Sequence, residues 1–228
     1  MKIDAWWGTP EWHAYERAYG DVPGTRTRVL QNGRWSTRVV DLSPEERVLW
    51  RGVRRSYHAI INRLGREYRP GAEAGPQDMC TRSIVCRPTF GAGVPLLWAA
   101  QRVHQIDAGR VTRPDETWEL MGAWVNRGHG LLAMANDYHD QHREHSCVGY
   151  VYFDVWDGWA YYHSAATLRR DVNIGLVWWA MLALKACGVR WCELGWQGQA
   201  ADAKGLQLEF FRRGFGGVDV ALDAELEE

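Results

Sequence analysis

Apolar residues recur three and four apart through Val48, Leu49, Val53, Tyr57, Ile60, Ile61 and Leu64, the spacing of a helix with one buried stripe. Ser43-Pro44-Glu45-Glu46 precedes that stripe. Ser43 as N-cap, Pro44 at the first helical position and Glu46 three residues after the cap predict one helix over 43–66. A short strand at 38–42 leads into it. Further helices are predicted over 95–108, stopped by Gly109, and over 114–128, where Asp115 and Glu116 lie at the positive end of the helix dipole.

After residue 128 the period changes. Apolar runs at 130–136, 147–155 and 158–165 read as three antiparallel strands, with Asp157-Gly158 marking a tight hairpin. An apolar helix at 174–186, stopped by Cys187-Gly188, precedes a short strand at 190–194. A helix at 204–213 and a strand at 215–221 follow. Residues 71–76 read as a loop and 81–86 as a further strand. Gly and Pro at short intervals make 1–36 an irregular N-terminal extension, leaving 37–228 as one domain. The class is α+β.

Composition narrows the function. The chain has 228 residues, 46% of them hydrophobic, enough for one substantial core. A formal net charge of -1 and a pI near 6.7 exclude a global pull toward polyanions, so any such contact is local. The five cysteines, Cys80, Cys86, Cys147, Cys187 and Cys192, lack zinc-site spacing and read as reduced, buried thiols of a cytoplasmic protein. No apolar run is long enough to span a membrane, and the first residues lack a secretory leader. His139, His142, His145 and Cys147 fall close together, but among Asp137, Asp140, Arg143 and Glu144 they read as a solvated turn, and no metal is expected. Most of the fourteen tryptophans read as core, as at Trp178 and Trp179. Trp196, near a turn, can line a groove.

The segment Lys204-Gly205-Leu206-Gln207-Leu208-Glu209-Phe210-Phe211-Arg212-Arg213-Gly214-Phe215-Gly216-Gly217 follows a helix and a buried strand. In that order it resembles acyl-CoA N-acyltransferases of the GNAT superfamily, and within them the Fem-type branch, whose C-terminal domains end in a helix with a Phe-Lys-x-x-Phe-Gly signature. Here Phe211-Arg212-Arg213-Gly214-Phe215-Gly216 stands in that place, with Arg for Lys and one inserted residue. The resemblance covers about residues 38–218. It implies a mixed, mostly antiparallel central sheet flanked by helices, in which two parallel strands splay apart around the donor. Fem-type enzymes usually carry two tandem domains of this kind, and this chain has room for one.

The resemblance also assigns residues. Arg170-Asp171-Val172-Asn173-Ile174-Gly175 is similar to the pyrophosphate turn of these enzymes, with Asn173 in the place of a glycine that adopts left-handed geometry. Arg170, Asn173, Ile174 and Gly175 are thereby expected to hold a CoA pyrophosphate at a helix N-terminus, with Phe211 closing the donor channel. Many relatives carry Tyr at the position of Phe211, where it protonates the leaving thiolate. Backbone N–H groups of Ser164, Ala165 and Ala166 are expected to meet the oxyanion. Glu193, among Trp191, Leu194 and Trp196, is a candidate general base, with an ion pair to Arg190 or a neighbouring arginine as its plain alternative. His163 is the second candidate, since imidazole is the common side-chain proton carrier. Arg54 and Arg55, in Arg54-Arg55-Ser56-Tyr57-His58, and His104, in His104-Gln105-Ile106-Asp107, resemble acceptor-binding segments of Fem-type domains. With Arg47, Arg51 and His58 the two arginines share one helix side that can receive phosphates.

The expected reaction is transfer of an acyl group, acetyl first, from acyl-CoA to a primary amine of a small molecule, sugar, nucleotide or modified nucleobase. The alternative is an aminoacyl-tRNA-dependent Fem-type transfer, with RNA held along 43–66. A third reading is a non-catalytic binding module on the same scaffold.

Overall fold

The computed structural model describes residues 35–70, 82–87, 93–137, 147–197 and 202–222. The predicted extension and the histidine-rich turn therefore lie outside the described residues, apart from the start of the first strand. In chain order the elements are β1 (Trp35–Asp41), α1 (Glu46–Gly52), α2 (Arg55–Glu67), β2 (Arg69–Pro70), β3 (Arg82–Arg87), α3 (Gly93–Ala108), α4 (Asp115–Asn126), β4 (Gly130–Asp137), β5 (Cys147–Trp156), β6 (Trp159–Thr167), α5 (Val172–Ala186), β7 (Trp191–Gln197), α6 (Ala203–Arg213) and β8 (Val218–Leu222). The fold is α+β. The eight strands among the described residues form one mixed sheet in the order β2-β3-β4-β5-β6-β7-β1-β8.

Helices cover both faces of the sheet, and this explains why β4 reads as a continuous apolar run rather than an alternating one. Leu131, Ala133 and Ala135 point to a core shared with α1, α2 and α5, where Leu49, Ile61, Leu64, Leu176 and Met181 meet them. Leu132 and Met134 point to the opposite core, closed by Leu97, Val103, Trp118 and Met121 of α3 and α4. Helix α5 is apolar all round because it packs on the sheet on one side and on α2 on the other. The β5–β6 corner is the tight turn that the sequence predicts, with Asp157 at φ 43° and Gly158 at φ 79°.

The single helix expected over 43–66 is broken. Val53 and Arg54 are extended, at ψ 138° and ψ 135°, because the chain turns there to meet another element. Val53 enters the core, and the Arg54 N–H donates to the Gly214 carbonyl at 2.7 Å. Ser43 is not the cap either. Its hydroxyl donates to Asp41 Oδ1 at 2.7 Å, and the N-cap position belongs to Glu45. The thiols also divide: Cys147 and Cys192 are buried and free, whereas Cys187, at the end of α5, is exposed.

Candidate active site at a fork between parallel strands

β6 and β7 are parallel neighbours for three residues only, Trp159↔Trp191, Ala160↔Cys192 and Tyr161↔Glu193. Beyond that pair β6 continues against β5 and β7 against β1. Each arm of the fork carries a β-bulge just past the last shared pair. On β6 the register steps from Phe153↔Tyr162 to Tyr152↔Ser164, so His163 is the extra residue. On β7 it steps from Val39↔Glu193 to Arg38↔Gly195, so Leu194 is the extra residue. A bulge bends its strand and increases the local twist, and two of them turn adjoining strands away from each other. Gly195, at φ 97°, completes the bend.

The bulge at His163 lets two consecutive side chains serve the α3 side. Tyr162 and Ala165 pack into the core with α5, whereas His163 and Ser164 both meet side chains of β5. His163 Nδ1 lies 2.5 Å from Asp154 Oδ2. Asp154 is 1% exposed, and as a carboxylate it accepts from the ring. The imidazole proton then resides on Nδ1, leaving the Nε2 lone pair for chemistry. The second oxygen, Asp154 Oδ1, is buried with no hydrogen-bond partner among the described residues. Ser164 Oγ lies 2.7 Å from the Tyr150 hydroxyl, which lies 2.8 Å from His104 Nδ1. Burial, and then the charges of Arg113 and Lys204, hold His104 down at about 4. With Nδ1 of the neutral ring unprotonated, Tyr150 donates to His104 and Ser164 donates to Tyr150; with the proton on Nδ1 both directions reverse.

Across the fork, Glu193 is 0% exposed, and its Oε1 accepts from the Thr37 hydroxyl at 2.7 Å. Arg190, one of the arginines expected as its ion-pair partner, is placed otherwise. It stacks on Trp191 at 4.5 Å and lies 3.9 Å from Asp41. Tyr161 separates the two candidate bases. Burial and then the Glu193 charge push its phenol upward, with Arg212 opposing. Arg212, from the last turn of α6, lies over Gly195: a Cβ at that glycine would be 3.2 Å from the guanidinium carbon. Phe211 packs below the fork against Tyr162 and Tyr57. His163, Ser164, Glu193 and Phe211 therefore converge on the fork, and Ala165 and Ala166 lie on the arm whose pairing with β7 has ended.

The other expected residues lie elsewhere. Arg54 is held by α6: its guanidinium stacks 3.5 Å above Phe210 and donates to the Phe210 carbonyl at 2.8 Å. Arg55 is exposed on α2, whereas Trp196 stays on the β7 arm of the fork, one residue past Gly195, and pairs through its backbone with Thr37. At the turn before α5, Arg170 is 94% exposed. The left-handed residue is Asp171, at φ 70°, and not Asn173, which is already helical. The Asp171 carboxylate lies 3.3 Å from Arg63. Ile174 is core, and Gly175 has a packing reason: a Cβ there would be 2.4 Å from Trp179 Cζ3 and 2.9 Å from Leu64 Cδ1.

Asp154, Tyr150, Tyr161 and Arg212 are the site residues that the sequence reading misses. A carboxylate within the apolar run of β5 was the available signal for the first, since a buried charge needs a partner. Among the described residues no group of three or more His, Cys, Asp or Glu could hold a metal ion, and no helix is long and apolar enough to cross a membrane.

No protein-family model and no curated protein matches the chain. Solved structures do. FemX superposes with a TM-score of 0.61 at 11% identity, covering 92% of this chain and 66% of FemX. The C-terminal domain of a putative lysylphosphatidylglycerol synthetase from Agrobacterium fabrum gives 0.52 at 12% identity, over 83% of this chain and 59% of its own. L-PGS from Bacillus licheniformis gives 0.50 at 13% identity over the same shares. The chain thus spans about two thirds of FemX or less of these structures. What it has in common with them is the fold, an α+β domain built on one mixed sheet.

Proposed function

We propose that the fork is the reaction centre of an acyl-group transferase, and that the group transferred is an aminoacyl group delivered as an RNA ester to a primary amine. The observation that carries this reading is the His163–Asp154 pair at a bulge, beside the point where β6 and β7 part. His163 Nε2 takes a proton from the attacking amine as the new C–N bond forms at the ester carbonyl. The ester C–O bond then breaks, and the proton passes to the departing ribose oxygen. Arg212 and the backbone N–H groups of β6 beyond Tyr161 supply positive ends for the oxyanion.

Two observations support an aminoacyl ester over acyl-CoA as donor. Asp171 sets a carboxylate at the N-terminus of α5, where a pyrophosphate would meet repulsion instead of an unfilled dipole. The fold is also that of domains named for FemX and for lysylphosphatidylglycerol synthesis. The test presents the protein with RNA charged with a labelled amino acid and with a panel of amines, beside a parallel reaction with acetyl-CoA. Label is expected to move from RNA to amine, and His163→Ala to abolish the transfer. Acetyl-CoA at hundreds of micromolar is expected to leave the melting temperature unchanged. A thermal shift with acetyl-CoA together with acetyl transfer would replace this reading with the acyl-CoA one.

A further inference from the structure

A groove of about 710 Å³ opens on the outer surface between α1, α2 and α5, away from the fork. Three tryptophans line it, Trp50, Trp178 and Trp179, together with Arg47, Arg66 and one carboxylate, Glu46. Trp178 is buried, while Trp50 and Trp179 are half-buried. The indoles are held in place: His58 stacks on Trp50 at 4.1 Å and meets its carbonyl at 2.8 Å, and Trp178 meets Trp50 edge-on at 5.1 Å. Gly65 forms part of the floor. A Cβ at that position would meet nothing nearer than Trp179 at 3.7 Å, so packing does not require glycine there. An exposed helical glycine costs about 1 kcal/mol relative to alanine, and what it leaves at this place is open floor. The arginines Arg51, Arg55 and Arg63 are also exposed along α1 and α2.

Flat aromatic faces flanked by guanidinium groups recognise an aromatic ring attached to phosphate. We infer that this groove is a stacking site for unpaired bases of single-stranded RNA, with Arg47 and Arg66 on the flanking phosphates. The inference rests on the RNA-borne donor proposed above and assigns that donor's body to the face of the sheet covered by α1, α2 and α5.

The test uses the full chain and an uncharged, fluorescein-labelled single-stranded RNA of about 12 nucleotides, within the usual footprint of such sites. Binding is read by anisotropy and tryptophan quenching across a salt series. Gly65→Leu fills the groove, removes no charge and favours the helix. It is expected to weaken binding roughly 5- to 150-fold for each base unstacked. Arg47→Glu with Arg66→Glu is expected to reduce the slope of log affinity against log salt by about 2. Arg110→Glu, at an exposed position beyond α3, is expected to change neither. Unchanged affinity in Gly65→Leu, an absence of binding at low salt, or quenching by choline in place of RNA would overturn the inference. His163→Ala distinguishes the two proposals, because it should bind RNA like the parent while failing in transfer.

Discussion

The imidazole of His163 meets the carboxylate of Asp154 from the residue that β6 has in excess of β5. Without the bulge, Tyr162 and Ser164 would share one face and His163 the other. With it, His163 and Ser164 both reach β5 side chains on the α3 side, so one inserted position adds the Ser164–Tyr150 contact to the face that holds His163 and Asp154.

Asp154→Asn should therefore act through His163. An amide can present its N–H to Nδ1 and draw the proton to Nε2, removing the lone pair that the reaction needs. The expected result is a fall in kcat of roughly 10²- to 10⁴-fold with KM little changed, checked by steady-state transfer kinetics. A rise in KM with kcat unchanged would assign Asp154 to substrate binding instead.

Gly175 separates a packing role from a phosphate-binding one. A Cβ at this position collides with Trp179 and Leu64, so Gly175→Ala should lower stability by about 1–3 kcal/mol, read as a shift of the urea midpoint. Donor affinity should not change. A weaker donor at unchanged stability would return this glycine to the ligand.

Neutral His104 ties Tyr150 and Ser164 together, and its position at about 4 in the fold lies below the ordinary histidine value near 6.5. Between these values the unfolded chain binds the proton and the folded one does not, so stability falls as pH drops from about 6.5 to about 4. The slope contributed is at most about 1.4 kcal/mol per pH unit. His104→Gln should flatten the urea-midpoint curve over that window relative to the parent.

Thr37 donates a hydrogen bond to the buried Glu193 carboxylate. Thr37→Val keeps the shape and removes the donor, and leaving a buried acceptor short of a partner costs about 1–3 kcal/mol. Pairing Thr37→Val with Glu193→Gln should recover part of the loss, since a neutral amide is cheaper to bury than a carboxylate. Chemical denaturation of the four proteins of this cycle measures the coupling.

Much of the fold is legible along the chain where one physical signal dominates. The meander over β4, β5 and β6 shows as apolar runs punctuated by Asp157-Gly158, and α5 as an uninterrupted apolar helix with Cys187-Gly188 at its end. Misreadings arise where another hydrogen-bond partner overrides a local preference. Ser43-Pro44-Glu45-Glu46 has the residues of a helix start, yet Asp41 captures the Ser43 hydroxyl. The stripe through Val53 continues on paper, yet the Gly214 carbonyl draws the backbone out of the helix. His163 and Glu193 are recoverable as titratable groups in apolar strands. Asp154 is not assigned from the chain, because its role depends on a bulge that shifts pairing by one residue, and periodicity cannot register such a shift.

Strand β1 lies between β7 and β8, antiparallel to both. It leaves the ribosome well before both of its partners, with Thr37 and Glu193 156 positions apart. Such distant pairings form slowly, so until β7 and β8 emerge β1 offers unpaired edges to any other chain that it meets. The enclosure of Glu193 is consequently among the last events of folding, and nascent chains stalled before β7 are expected to be where chaperones bind.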